Sequence, residues 1–154
     1  MCATIAWVLW AVCAAGCGTN RVVEGDADRA PEPFTLELLA LGVESRSVYY
    51  VLDGEGMLRY GGGSDARNRL ATIEVGKLDD GERLALWRVV VEGGLLDAEG
   101  TMFPQRKLVE YEFSVRAGTK NNSIRCADDE VQGMAEFERA LFELQTKKRF
   151  GLEP

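Results

Sequence analysis

Histidine is absent from this chain of 154 residues. Its absence excludes the Ser-His-Asp and Cys-His catalytic arrangements and removes the ligand that most zinc sites use. The glycine run at 61–63 matches neither the phosphate-binding loop nor the dinucleotide-binding pattern. Acid–base chemistry would have to come from carboxylates, lysine, tyrosine or cysteine. We therefore expect a protein that is not an enzyme and that binds no metal and no cofactor.

Basic residues are fewer than acidic residues in this chain. The chain holds 18 Lys and Arg against 25 Asp and Glu, which gives a net charge of −7. Domains that bind nucleic acid carry a basic surface, so no nucleic-acid partner is expected. An acidic domain is not drawn to anionic lipid either. Attachment to a membrane would therefore need an anchor of another kind.

Long apolar runs are missing as well. A membrane-spanning helix needs roughly 20 apolar residues, and the apolar run at 5–12 is shorter than that. This run is followed by the small residues Ala14, Ala15 and Gly16 and then by Cys17. Signal peptides end in such small residues, which fit the processing peptidase. The pattern predicts an export signal over residues 1–16, cleaved after Gly16.

This arrangement resembles the lipobox of bacterial lipoproteins, in which the cysteine after the cut is linked to diacylglycerol. The resemblance implies that Cys17 is lipidated and that the exported domain is held at the cell envelope through this lipid. Residue Gly18 favours the outer membrane, since an Asp there favours the inner membrane in such sorting. A cleaved signal without lipid and a buried N-terminal helix stay open as alternatives.

The composition divides the rest of the chain into a tether and a domain. Residues 17–33 are mostly polar and contain glycine and two prolines, which indicates a flexible tether behind the lipid anchor. Residues 34–154 have the length and the apolar patterning of a single globular domain.

Hydrophobic periodicity predicts strands and helices in this domain. Two strand-like runs on either side of Asp53 and Gly54 predict a hairpin. The glycine-rich stretch 61–65 is predicted to be a flexible loop. Gly93 and Gly94 end the first helix. The predicted strands are 34–38, 48–52, 57–60, 70–75, 108–117 and 123–126, and the predicted helices run from about 79 or 80 to 92 and from 131 to 148. The order predicts a two-layer α+β fold, with a mostly antiparallel sheet and two amphipathic helices on one face.

Four cysteines are present. Cys2 and Cys13 lie in the signal, and Cys17 would carry lipid, so the domain retains Cys126 and no internal disulfide. We expect Cys126 to be a small buried residue, because lone cysteines are usually buried. Trp87 lies on the apolar stripe of the first helix and is expected in the core.

Three residues are candidate contacts for a partner. Tyr49 would be exposed if the predicted hairpin lay at an edge of the sheet. Met102 and Phe103 place apolar groups in the irregular segment 97–107, and apolar loop residues on a rigid scaffold are common in recognition. Folding of this segment back onto the core remains an alternative.

A pair of carboxylates suggests a different, catalytic function. Glu110 and Glu112 fall on the same face of a predicted strand, about 7 Å apart from the strand rise. Such a pair suits a hydrolase of cell-wall glycans, or it forms part of a solvated strand face. The acidic cluster 128–130 is explained by the positive end of the second helix and is not expected to bind metal.

The folded part offers one more comparison. It has a Tyr-rich hairpin with a Gly turn, a helix closing on Gly-Gly-Leu-Leu, a Tyr-Glu-Phe strand and a terminal helix. Over 45–148 this layout resembles small bacterial lipoprotein domains of unknown function and, more distantly, emfourin-type metalloprotease inhibitors. The resemblance implies a lipid-anchored envelope domain that binds a protein or peptide, with inhibition as one form of that binding. A glycan hydrolase and a structural envelope component are the alternatives.

Overall fold

The computed structural model describes residues 29–42, 46–100 and 109–151. The predicted signal peptide, Cys17, Met102 and Phe103 lie outside these residues. The elements are β1 Phe34–Gly42, β2 Ser47–Leu52, β3 Met57–Gly62, α1 Ser64–Arg67, β4 Ile73–Lys77, α2 Asp80–Glu92, β5 Val109–Ala117, β6 Lys120–Ala127 and α3 Met134–Phe150. The strands form one six-stranded sheet in the order β4-β3-β2-β1-β5-β6, and each neighbouring pair is antiparallel.

The main core lies between one face of the sheet and the two long helices. Alternate residues of β1 point into it, and α2 and α3 cover them with their apolar stripes. Trp87 meets Phe34 edge-on at 5.6 Å between ring centroids, and Phe113 meets Phe137 at 5.1 Å. The α+β prediction and the core position of Trp87 are confirmed.

A smaller cluster lies on the opposite face of the sheet. Leu39 and Tyr49 are buried there against Ala66 of α1. The prediction of a flexible loop over 61–65 is wrong, because this stretch ends β3 and begins α1. A Cβ on Gly61 would lie 1.8 Å from the carbonyl oxygen of Leu70. Glycine therefore lets the segment after α1 cross closely over β3.

The edge strand β4 is shorter than predicted. It begins at Ile73, and Leu70 is 49% exposed instead of lying in the sheet. Leu58 pairs with Gly76 whereas Arg59 pairs with Glu74, so one residue of β4 is left over as a bulge. Gly76 adopts a φ of +136° at this point. The bulge breaks the alternation predicted over 70–75, and bulges also help to protect sheet edges from unwanted pairing.

The two long helices begin differently. Asp79 caps α2, with its side chain accepting the backbone N–H of Glu82 and its own N–H donating to the Glu82 side chain. Helix α3 begins at Met134, three residues later than predicted, and its N-cap is Gly133. The acidic cluster 128–130 therefore lies in a turn before the helix, so the expectation that it caps the helix is wrong.

The described end of the predicted tether packs against the domain. Ala30 contacts the main core, and the Gly118 N–H donates to the Pro33 carbonyl oxygen at 3.0 Å. Arg83 of α2 lies 3.8 Å from the Glu32 carboxylate. The chain therefore reaches β1 along a docked segment from residue 29 onward, whereas the prediction placed the tether as far as 33. No helix within the described ranges is long and apolar enough to cross a membrane.

Candidate functional site

The face of the sheet opposite α2 and α3 is only partly covered, and we call it the open face. Helix α1 shields the part above β2, while alternate residues of β1, β5 and β6 remain uncovered beyond it. Most of these uncovered side chains are small or polar. They include Thr35 and Glu37 of β1, Ser114 and Arg116 of β5, and Asn121 and Ser123 of β6.

Two depressions meet on the open face. The larger has a volume of about 490 Å³ and is lined by β1, β5, β6 and the turn between β2 and β3. The smaller, of about 70 Å³, is lined by Tyr49, Arg69 and Glu112 among others. Glu37, Ser114 and Ser123 line both depressions. These three residues therefore mark the centre of the site.

Glu37 is an exposed carboxylate on the central strand. Its Oε2 accepts a hydrogen bond of 3.0 Å from the Tyr49 hydroxyl, and it makes no ion pair with any described residue. Tyr49 itself is only 7% exposed, because Ala66 of α1 and Leu39 pack against it, and β2 lies between β1 and β3 rather than at an edge. The expectation that Tyr49 is exposed at an edge is therefore wrong. The hydrogen bond from the Tyr49 hydroxyl restrains the Glu37 side chain.

The protonation of Tyr49 supports this arrangement. Burial, with the hydrogen bond to Glu37 as a second cause, raises the pKa of Tyr49 to about 12. The raised pKa keeps the phenol protonated, and so a donor to Glu37, to a higher pH than in an ordinary tyrosine. One oxygen of Glu37 is occupied by this bond, and Oε1 remains available to a ligand.

The carboxylates Glu110 and Glu112 lie side by side on β5, as the alternation predicted, and guanidinium groups engage both of them. Glu110 accepts a 2.6 Å hydrogen bond from the Nε of Arg125, and this bond raises the pKa of Arg125. Glu112 pairs with Arg69 and lies 3.6 Å from Arg125. A glycan hydrolase needs carboxyl groups that are free to exchange protons with the substrate. This arrangement does not favour that alternative.

Asp53 is also engaged. It forms an ion pair of 3.1 Å with Arg59, and its Oδ1 accepts the backbone N–H groups of Glu55 and Met57 at 3.0 Å each. These bonds hold the turn between β2 and β3.

A further charged side chain that lines the larger depression is that of Arg116. It is exposed and forms no ion pair within the described part of the chain.

The segment that leads toward Met102 and Phe103 runs along the outer edge of β6. The Asn122 side chain donates to the carbonyl oxygens of Leu95 and Ala98 at 2.8 and 2.9 Å. A Cβ on Gly100 would lie 2.7 Å from the backbone nitrogen of Arg125. The described part of this segment therefore covers the β6 edge beside the open face.

Other candidate chemistry on the described residues is limited. Cys126 is fully buried, as predicted, and burial raises the pKa of its thiol to about 11. Glu130 of the acidic cluster accepts the backbone N–H of Ala127 at 2.8 Å. In the three described ranges, no group of at least three His, Cys, Asp or Glu residues could hold a metal ion.

No protein-family model matches this chain, and no curated protein matches its sequence. The chemistry of the open face has to be inferred from its own residues.

Sequence patterns missed Glu37 and Arg116 as members of one site. Both residues belong to runs that alternate between apolar and polar positions, so their exposure could be anticipated. The pairing of β1 with β5 brings them together, and these strands lie more than 60 residues apart in the chain. No local signal identifies that pairing.

Proposed function

We propose that this chain is a lipid-anchored domain of the cell envelope that binds a protein or peptide on its open face without turnover. The observation that carries this proposal is the depression of about 490 Å³, which combines apolar surface with small and hydrogen-bonding side chains. Small side chains on an extended surface allow another chain to approach closely. An inhibitor would use the same surface to occupy its target enzyme.

The proposed anchor rests on the residues around Cys17. The small residues at 14–16 fit a processing peptidase, and the cysteine follows them directly. About a dozen residues separate Cys17 from Arg29, where the docked segment begins. A chain of that length spans at most about 40 Å. The domain would therefore work close to the membrane that holds it, on a partner in the same envelope.

The anchor is tested by the intact mass of the exported protein and by its partitioning between detergent and aqueous phases. We expect the wild-type chain to begin at Cys17, to carry acyl mass and to enter the detergent phase. The Cys17→Ser variant should lack the acyl mass, and any cleaved form of it should stay in the aqueous phase. An unmodified wild-type chain that still begins at Met1 would overturn the anchor.

The binding surface is tested by site-specific crosslinking in cells. A photoreactive residue replaces Ser123 on the open face, and a matched variant carries it at Glu143, an exposed position of α3 on the other side of the sheet. We expect a discrete adduct from position 123 and none from position 143. Equal adducts from both positions, or none from either, would contradict binding on the open face.

A further inference from the structure

We infer that the open face recognises an extended peptide segment that carries a basic and an acidic side chain two residues apart. The basic group would pair with Glu37 and the acidic group with Arg116. This inference rests on the proposed peptide-binding function and names the chemistry of the partner.

Unpaired charge is the first observation behind it. The charged side chains that line the larger depression are Glu37, Asp53 and Arg116. Asp53 is neutralised by Arg59 and held by the turn. Glu37 and Arg116 are exposed and have no ion-pair partner among the described residues. The depression therefore offers one negative and one positive group to a ligand.

The spacing of the two charges is the second observation. Thr35 pairs with Arg116 and Glu37 pairs with Ser114 in the register of β1 and β5. Glu37 and Arg116 are therefore diagonal neighbours on one face, a relationship that separates residues by about 7–8 Å. In an extended peptide, residues i and i+2 point to the same side and lie about 7 Å apart. A segment with opposite charges at i and i+2 matches this spacing.

The neutral lining completes the match. Thr35, Ser114, Asn121 and Ser123 place hydroxyl and amide groups around the two charges. These groups donate and accept hydrogen bonds, so they can pair with the backbone of a bound segment. The bond from Tyr49 restrains Glu37 before a ligand arrives, which lowers the entropy lost on binding.

The test uses the exported protein in detergent micelles and two synthetic peptides with blocked ends. One peptide is acetyl-Thr-Lys-Thr-Glu-Thr-amide, and the other is acetyl-Thr-Lys-Glu-Thr-Thr-amide, which has the same composition but adjacent charges. Binding is followed by amide shifts in ¹⁵N-labelled protein. We expect the first peptide to shift amides of β1, β5 and β6 and to bind more tightly than the second. Equal binding of both peptides would contradict the requirement for opposite charges two residues apart.

Three variants test whether Glu37 and Arg116 bind the charged groups of the peptide, and a fourth serves as the control. Glu37→Gln removes the charge but keeps an acceptor for Tyr49, and Arg116→Gln removes the other charge. Each is expected to weaken binding of the first peptide by up to about fivefold, the upper end for an exposed ion pair. The exchange Glu37→Arg with Arg116→Glu should restore binding, because the peptide can lie in the opposite direction. Glu143→Gln on α3 serves as the matched control and should leave binding unchanged.

The outcomes separate this inference from the proposed function. If both Gln variants bind the first peptide like wild type, the charge pair is wrong. The open face still stands as the binding surface if the photoreactive residue at position 123 forms its adduct and Glu37→Gln leaves that adduct intact. If neither peptide binds and position 123 gives no adduct, both proposals fail. Circular dichroism spectra that match wild type establish that each variant is folded.

Discussion

Gly133 lies directly against Gly93, so that the start of α3 touches the end of α2. A Cβ on Gly133 would lie 2.6 Å from the Gly93 Cα, a distance that no real side chain tolerates. The two helices pack on the same core, and their nearest ends have no room for a methyl group. Gly133 also adopts a φ of +92°. Two separate physical demands therefore require glycine at this position.

Substitution Gly133→Ala tests this contact. We expect a loss of about 2–4 kcal/mol in the free energy of unfolding, because a strained backbone adds to a steric clash with backbone atoms. The matched control is Gly94→Ala, where φ is +67° but no atom lies within 4 Å of the added Cβ. That variant should lose only about 1 kcal/mol. Urea unfolding measures both values, and equal losses would show that the contact is unimportant.

The buried pair Tyr50 and Gln145 gives a second prediction. The Tyr50 hydroxyl donates a 2.8 Å hydrogen bond to the Gln145 Oε1 across the core. Gln145→Leu should cost about 1–3 kcal/mol of stability, since the buried hydroxyl loses its acceptor. Adding Tyr50→Phe should recover part of this loss, because no unsatisfied polar group then remains. Strictly additive effects in a double-mutant cycle would contradict the coupling.

The pH dependence of stability follows from Tyr49. Its pKa is raised from 10.0 to about 12 in the folded state, so the unfolded chain releases this proton first. The contribution of Tyr49 to the free energy of unfolding is complete below pH 10, and it is lost as the pH rises toward about 12. The loss amounts to at most about 3 kcal/mol.

Tyr49→Phe should reduce this alkaline loss. Burial also raises the pKa values of Tyr50 and Tyr111, so part of the pH dependence will remain in the variant. The measurement compares the free energy of unfolding in urea at pH 8.5 and pH 11 for both proteins. An identical difference in wild type and variant would rule out the contribution of Tyr49.

Thiol chemistry provides a fourth prediction. Cys126 is 0% exposed, and its pKa is raised to about 11, first by burial. We expect it to react with a disulfide reagent at pH 8 at least about a hundredfold more slowly in the native protein than in denaturant. The Cys126→Ser variant gives the background labelling of the other cysteines. Fast native labelling that disappears in Cys126→Ser would contradict the burial.

Local sequence determined the elements whose signals are carried by neighbouring residues. The alternation over 109–117 identified β5 almost to the residue, because a half-buried strand needs a side-chain period of two. Asp79 and Gly93 marked the ends of α2, since caps act on the nearest backbone groups. The burial of Cys126 followed from the same kind of local pattern.

The tertiary structure decided how those elements meet. Tyr49 is buried because α1 packs over its face of the sheet, a contact that local sequence patterns do not specify. Position 61 requires glycine because the Leu70 backbone passes over it. Glu37 and Arg116 face one depression because β1 pairs with β5. Local periodicity specifies which side chains of a strand share a face, but it carries no information about which strands become neighbours. The open face depends on those neighbours.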